Sequence, residues 1–294
     1  MIAFGSVIAD AEAYRRFAEP GIRRAAEADS QVHAFGAVGT VCRGYNLLLD
    51  AAAAHDDLEA LVLVDPRAEI ADPDFCAKAR AALRDPEVAI AGPVGARNVR
   101  TIAWWEGDVS CAPVVHRYHE HGGGEVAGYA WARPGAPLGE VDSLDGFLLV
   151  LSPWAVRSIR FDESLHTGHG YDLDYCLRVR DAGRKVVTAD FRTIHHRTLE
   201  LLPDNEVWIE GHIKVAEHWD GRWPGRDGGP VDWKRRARRA EAEREAARTM
   251  AYSNALRVDA EVLALEREMT EMTDSLSWRV TAPLRRLNRM RRRG

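Results

Sequence analysis

The chain has 294 residues, 46% of them hydrophobic and 29% charged, with a formal net charge of −5. That length accommodates one large domain or a domain with an appendage, and the apolar content excludes wholesale disorder. Seven arginines and no acid from Arg279 onward leave the body acidic on balance, which argues against nucleic acid as its main partner.

The segment 1–10 begins as a short buried strand, and 11–28 reads as a helix broken at Pro20-Gly21. A second strand of alternating character follows at 31–39. A helix over 42–54 puts Tyr45, Leu48 and Leu49 on one face. The run 58–65 is almost continuously apolar and ends in Asp65-Pro66, which suits a central strand buried on both faces. A helix opened by Asp72-Pro73 and a strand over 87–95 continue the alternation, so a mostly parallel sheet flanked by helices is expected. Residues 98–140 break the rhythm with Gly, Pro, Trp and His, and read as strands plus a long surface loop. The α/β body resumes at Glu140 and closes near His196. From Trp233 to about Met272 the charged, Ala-rich sequence reads as one long helix with a moderately regular apolar seam.

Cys42, Cys76, Cys111 and Cys176 are scattered without a C-x-x-C pair, the pattern of buried free thiols rather than of disulfides or zinc ligands. A reducing, cytoplasmic setting fits. The start of the chain lacks a basic stretch followed by an apolar run of signal length. No stretch reaches ~18 apolar residues, so neither secretion nor a membrane span is expected.

The most informative stretch runs from Glu140 to His196. It strings together the loop Asp142-Ser143-Leu144-Asp145-Gly146, an apolar strand, the turn Arg160-Phe161-Asp162-Glu163, and Gly170-Tyr171-Asp172-Leu173-Asp174. An Ala-Gly turn, a strand and the pair His195-His196 complete it. Leu173, Cys176, Leu177 and Val179 fall at helical spacing, so Asp172 and Asp174 lie in a first helical turn, where the helix dipole favours carboxylates. Earlier come the helix segment GYNLLLDAA and the strand LVLVDPRAEI. In this order the parts resemble nucleotide-sugar glycosyltransferases of the GT-A fold, within the broad family-two-like group, over roughly residues 1–200. The resemblance implies an α/β, GT-A-like (Rossmann-related) fold with a mostly parallel sheet flanked by helices and a C-terminal helical extension. The expected division is a glycosyltransferase domain over 1–200, a connecting segment over 201–232, and a long charged helix with a basic amphipathic tail over 233–294.

Sugar transfer from a nucleotide diphosphate requires neutralisation of the leaving diphosphate and removal of a proton from the acceptor hydroxyl. Asp65, at the carboxyl end of a parallel strand, lies where open α/β sheets bind ligands, and hard cations prefer such oxygen donors. The family's hallmark there is an Asp-x-Asp pair. This chain instead has Asp65-Pro66-Arg67, and Arg67 can stand as a fixed cation near the diphosphate. The resemblance implies that Asp65 and His195 hold Mn2+ or Mg2+. It assigns the general base to Asp172, matching the second acid of a Glu-Asp pair whose first position here is Tyr171. Asp174 is the runner-up, with Arg178 its expected ion-pair partner. Asp145 and Gly146 are expected to border the donor sugar or the acceptor, and Gly5, Ser6, Val7, Arg43 and Asn46 the nucleotide. Trp104 and Trp105, as neighbours in a strand, would face opposite ways, leaving Trp105 to stack on an acceptor sugar. His116, His119 and His121 permit a zinc site, but a solvated loop is the expected state.

The tail combines Leu276, Trp278, Val280, Leu284, Leu287 and Met290 with its arginines, a composition able to dock on an anionic membrane face. Together these readings imply a metal-assisted hexosyltransferase-type enzyme of bacterial surface-glycan assembly, acting by direct displacement with inversion. It would take a nucleotide-diphosphate sugar and a glycan, lipid-linked or small-molecule acceptor. It is expected in the cytoplasm or at the inner membrane face, with a homodimer through the long helix. The alternative is a non-catalytic carbohydrate- or nucleotide-binding module that keeps the fold.

Overall fold

The computed structural model describes residues 1–118, 124–132, 135–165, 168–197, 204–224, 233–282 and 285. Met1–Gly228 forms one compact unit and Gly229–Gly294 another. The strands of the first unit are β1 (Ile2–Ile8), β2 (Gln31–Gly36), β3 (Ala60–Val64), β4 (Ala68–Ile70), β5 (Val88–Gly92), β6 (Val94–Arg97), β7 (Asp108–Cys111), β8 (Val114–Tyr118), β9 (Glu125–Ala127), β10 (Glu140–Val141), β11 (Ser143–Leu144), β12 (Leu148–Leu151), β13 (Lys185–Thr188) and β14 (Thr193–Arg197). Its helices are α1 (Ala11–Ala13), α2 (Glu19–Ala25), α3 (Val41–Ala53), α4 (Phe75–Ala82), α5 (Pro153–Ser158), α6 (Tyr171–Asp181) and α7 (Asn205–His218).

The central sheet has seven strands in the order β10-β13-β5-β12-β3-β1-β2. Five run the same way, and β10 and β12 oppose them. This is the mostly parallel α/β sheet flanked by helices that was expected from the sequence. Every residue of β3, β5 and β12 is buried, as their unbroken apolar runs require. Tyr45, Leu48 and Leu49 of α3 and Leu173, Cys176, Leu177 and Val179 of α6 join the same core.

Two smaller sheets place the site. One has the order β11-β6-β7 and the other β4-β14-β8-β9. In the second, β14 pairs antiparallel with β4, setting His195 opposite Ala68, and parallel with β8, setting His195 opposite His116. The strand that ends the α/β body is thereby laid against the turn that follows β3.

Three local expectations are corrected. The first helix does not break at Pro20-Gly21. A π-helical segment, Tyr14–Ala18, joins α1 to α2, and Pro20 sits in the first turn of α2, where its missing N–H costs little. Gly21 marks a close approach, because a Cβ there would lie 2.6 Å from the Ile70 backbone nitrogen. Asp72 does not open α4, whose N-cap position is Asp74. Its carboxylate instead accepts the Arg192 N–H at 2.6 Å and meets Lys78 at 3.0 Å. Trp104 and Trp105 lie in a 3-10 turn rather than a strand. There Trp104 packs inward, and Trp105 stays 37% exposed.

The second unit contains α8 (Trp233–Asp274) and α9 (Leu276–Val280). No helix among the described residues is long and apolar enough to cross a membrane. Of the tail's apolar residues, Leu276 and Val280 are exposed on α9. Leu284, Leu287 and Met290 lie outside the described residues, as do His119 and His121 of the histidine-rich stretch.

Candidate functional site

The turn Asp145-Gly146-Phe147, between β11 and β12, is the hub of the site. Because β12 runs antiparallel to β3, the end of β3 meets this turn, and the Asp65 N–H donates to the Phe147 carbonyl at 2.9 Å. From the other side α6 begins against it. The Gly146 N–H donates to Asp172 Oδ2 at 3.0 Å, and the Tyr171 hydroxyl to the Gly146 carbonyl at 3.3 Å. A Cβ at Gly146 would sit 2.7 Å from the Tyr171 hydroxyl and 2.8 Å from Asp172 Cβ, so glycine alone allows this contact. The Phe147 ring stacks on His195 with centroids 4.6 Å apart. The Tyr129 hydroxyl donates to Asp145 Oδ2. Asp65, Asp145, Asp172 and His195, far apart in sequence, thus gather around three residues.

The carboxylates feel one another. Burial, together with the Asp145 charge, pushes Asp172 up to about 6 despite the N–H groups of Leu173 and Gly146. Burial raises Asp145 against the lowering pull of the Tyr129 hydroxyl and the Arg197 charge. Burial also raises Asp65, with the Asp145 and Asp10 charges adding to it and the Arg67 N–H opposing. That N–H donates to Asp65 Oδ1 at 2.8 Å and fixes the carboxylate at the strand end. Burial holds His195 well below the usual imidazole range, and the Arg197 and His116 charges add to the effect. A carboxyl near 6 is suited to accept a proton at neutral pH, a neutral imidazole to donate an electron pair.

Other residues named from the sequence lie elsewhere. Asp174 is 2% exposed and committed to the fold, accepting from Arg178 Nε at 2.6 Å and Trp219 Nε1 at 2.8 Å. Asn46 clasps the 161–163 turn: its Nδ2 donates to the Phe161 carbonyl at 3.0 Å and Glu163 Oε1 at 2.9 Å, and its Oδ1 accepts the Phe161 N–H at 3.0 Å. Arg43 is exposed at the start of α3. Gly5, Ser6 and Val7 are buried on β1, and Ser6 Oγ has no hydrogen-bond partner among the described residues. Trp105 lies 6.4 Å from Trp208 of α7, ring centre to ring centre. Arg67 Nη2 pairs with Asp10 Oδ2 at 3.2 Å.

Sequence reasoning missed Tyr129 and Arg197 and named His116 only within a permissive zinc motif, whereas all three face this cluster. Tyr129 and His116 sit in the irregular stretch before Glu140, which carries no periodic signal. Arg197 lies just past the last recognised motif residue.

Among the described residues, no three His, Cys, Asp or Glu side chains gather into a metal-ligand set. Asp65 and His195 are nonetheless compatible with sharing a cation. The first offers a carboxylate at a strand end and the second a buried Nδ1 without a hydrogen-bond partner among the described residues.

Residues 22–216, well over half the chain, match the model of a glycosyltransferase-like family, and the chain belongs to that family. It is 26% identical over 203 residues to the streptomycin biosynthesis protein StrF of Streptomyces griseus, a match covering 67% of this chain and 66% of that protein. Among solved structures it is similar to GalNAc-T7 with UDP, GalNAc and Mn2+, at 11% identity and a TM-score of 0.49, covering 74% of this chain and 48% of the other. It is also similar to the mannosyltransferase PcManGT of Pyrobaculum calidifontis in complex with GDP-Man and Mn2+. There the identity is 13% and the TM-score 0.44, with 95% and 82% covered.

Proposed function

We propose that the protein is a glycosyltransferase that moves a sugar from a nucleotide-diphosphate donor to an acceptor hydroxyl by single displacement with inversion. The observation that carries this reading is the convergence of Asp65, Asp145 and Asp172 on the 145–147 turn, with Asp172 poised at about 6. Asp172 takes the acceptor proton as the hydroxyl attacks the anomeric carbon. Asp145, oriented by Tyr129, borders the sugar and accepts hydrogen bonds from its hydroxyls. Asp65 and His195 would hold Mn2+ or Mg2+, which when bound neutralises charge on the departing diphosphate. The Phe147 ring covers one side of His195 and keeps water from it.

Family membership supports transferase chemistry. A role in bacterial surface-glycan assembly, contact with a membrane face through the basic tail, and a dimer through α8 extend the same reading. Asp172→Asn separates base catalysis from binding. Transfer is expected to fall about 100-fold or more while donor affinity, read by calorimetry, stays within a few-fold. Near-wild-type transfer by that variant would remove Asp172 as the base. A non-catalytic binding module is the second reading, favoured by the incomplete ligand set at Asp65 and His195. It predicts donor binding without any release of nucleoside diphosphate.

A further inference from the structure

Beside the carboxylate cluster lies a cavity walled by Asp10, Arg16, Arg67, Arg117, His196 and Arg197. Strand register brings these residues together. The pairing of β14 with β8 sets His196 opposite Arg117, and the His196 N–H donates to the Arg67 carbonyl at 2.9 Å. Phe17, from the π-helical segment beside Arg16, stacks on His196 with centroids 3.7 Å apart and also lines the cavity. Four arginines face two acids, Asp10 and Glu12, in this lining.

The arginines are not equally engaged. Arg117 is paired with Glu125, its Nε 2.9 Å from Oε1, and Arg67 with Asp10 at 3.2 Å. Among the described residues Arg16 and Arg197 have no carboxylate within ion-pair distance. Arg197 is half-buried, and its charge reaches the Asp145 carboxyl on the far side. A half-buried guanidinium without an ion-pair partner among the described residues, next to an arginine held by a single exchangeable carboxylate, is an arrangement made for a polyvalent anion.

We propose that this cavity seats the diphosphate of the donor, with Arg197 as its main cation and Arg67 released from Asp10 to complete the grip. The proposal rests on the glycosyltransferase reading and adds to it. Where an Asp-x-Asp pair would place a second acid, this chain has Arg67, whose backbone N–H already orients Asp65. The cavity and the carboxylate cluster therefore share a wall. Guanidinium groups bind phosphate oxygens in pairs and stay charged throughout, so the diphosphate is held in the absence of any divalent ion.

Calorimetry on the full chain in excess chelator tests this, with inorganic pyrophosphate, orthophosphate, UDP and GDP as the probes. Pyrophosphate is expected to bind without metal, more tightly than orthophosphate, and to be displaced by UDP or GDP. Arg197→Gln should weaken pyrophosphate binding by about 10- to 100-fold, the loss of a charge-assisted contact, while Arg197→Lys retains part of it. If Arg197→Gln fails to melt cooperatively, Arg67→Gln carries the test. Weaker pyrophosphate binding by that variant supports the proposal, and unchanged binding overturns it. Pyrophosphate binding that needs added Mn2+, equals that of orthophosphate, survives Arg197→Gln, or is not displaced by either nucleotide would also overturn it. Nucleotide-sugar turnover that persists in those cases leaves the glycosyltransferase reading standing. Metal-free pyrophosphate binding without any such turnover keeps the cavity and removes that reading.

Discussion

Asp172 has its two oxygens held by N–H groups from different elements, Gly146 in the turn and Leu173 in its own helix. Those contacts would lower its pKa, yet burial and the Asp145 charge prevail and raise it to about 6. A base must be ionised, so transfer is expected to rise about ten-fold per pH unit below that value and to level off above it. Replacing Asp145 with Asn removes a neighbouring negative charge. It should move this limb of the pH–rate profile to lower pH, and a limb that stays in place would show that Asp145 does not act on Asp172. The linkage has the opposite sign for stability. Because the folded-state pKa lies above the ordinary 3.8, the folded form binds this proton more tightly. Its stabilising contribution is therefore lost as pH rises from about 4 to about 6. Gly146→Ala would drive a methyl group into Tyr171 and Asp172. Displacing Asp172, the proposed base, by a fraction of an ångström should lower kcat about 100-fold, measured with donor and acceptor saturating.

Helix α6 presents two carboxylates in its first turn, and they do different work. Sequence periodicity places Asp172 and Asp174 in that turn but cannot rank them. The ranking comes from Trp219, at the end of α7, which closes over Asp174 together with Arg178. Asp174→Ala should cost about 2–4 kcal/mol in chemical denaturation, less than a fully buried pair because Arg178 keeps Asp162 as a partner. The folded fraction should retain transfer, the reverse of Asp172→Asn. The same contrast marks what was legible elsewhere. Unbroken apolar runs identified β3, β5 and β12, and the Asp-Gly loop and acidic helix start pointed to Asp145, Gly146 and Asp172. The π-helical segment was hidden because Pro20-Gly21 reads as a break until the packing of Gly21 on Ile70 is known. His116 and Arg197 reach the cluster through the β8–β14 pairing and Tyr129 through the adjoining β8–β9 pairing, contacts without a local signature.

At the scale of the whole molecule, the two units differ in what they leave exposed. Along α8, Val258, Val262, Leu265, Met269 and Met272 recur at alternating spacings of four and three, and all are exposed. That is a coiled-coil seam without a partner among the described residues. Asp259, Glu261, Glu266 and Glu268 flank it, so two copies would bring like charges together. Self-association through this helix should therefore tighten as salt is added, which sedimentation of the full chain at low and high ionic strength would measure. Association that weakens with salt would point to a basic partner surface instead.

The central claim is that the turn at 145–147 gathers Asp65, Asp145, Asp172 and His195 into one sugar-transfer site. Release of nucleoside diphosphate from UDP-, GDP- and dTDP-sugars, followed over hours with Mn2+ present, tests it most directly. One donor class is expected to be hydrolysed slowly without an acceptor and faster with one, and both rates should collapse in Asp172→Asn and Asp65→Asn. A donor that binds tightly yet is never cleaved, or is cleaved equally well by both variants, would contradict the account.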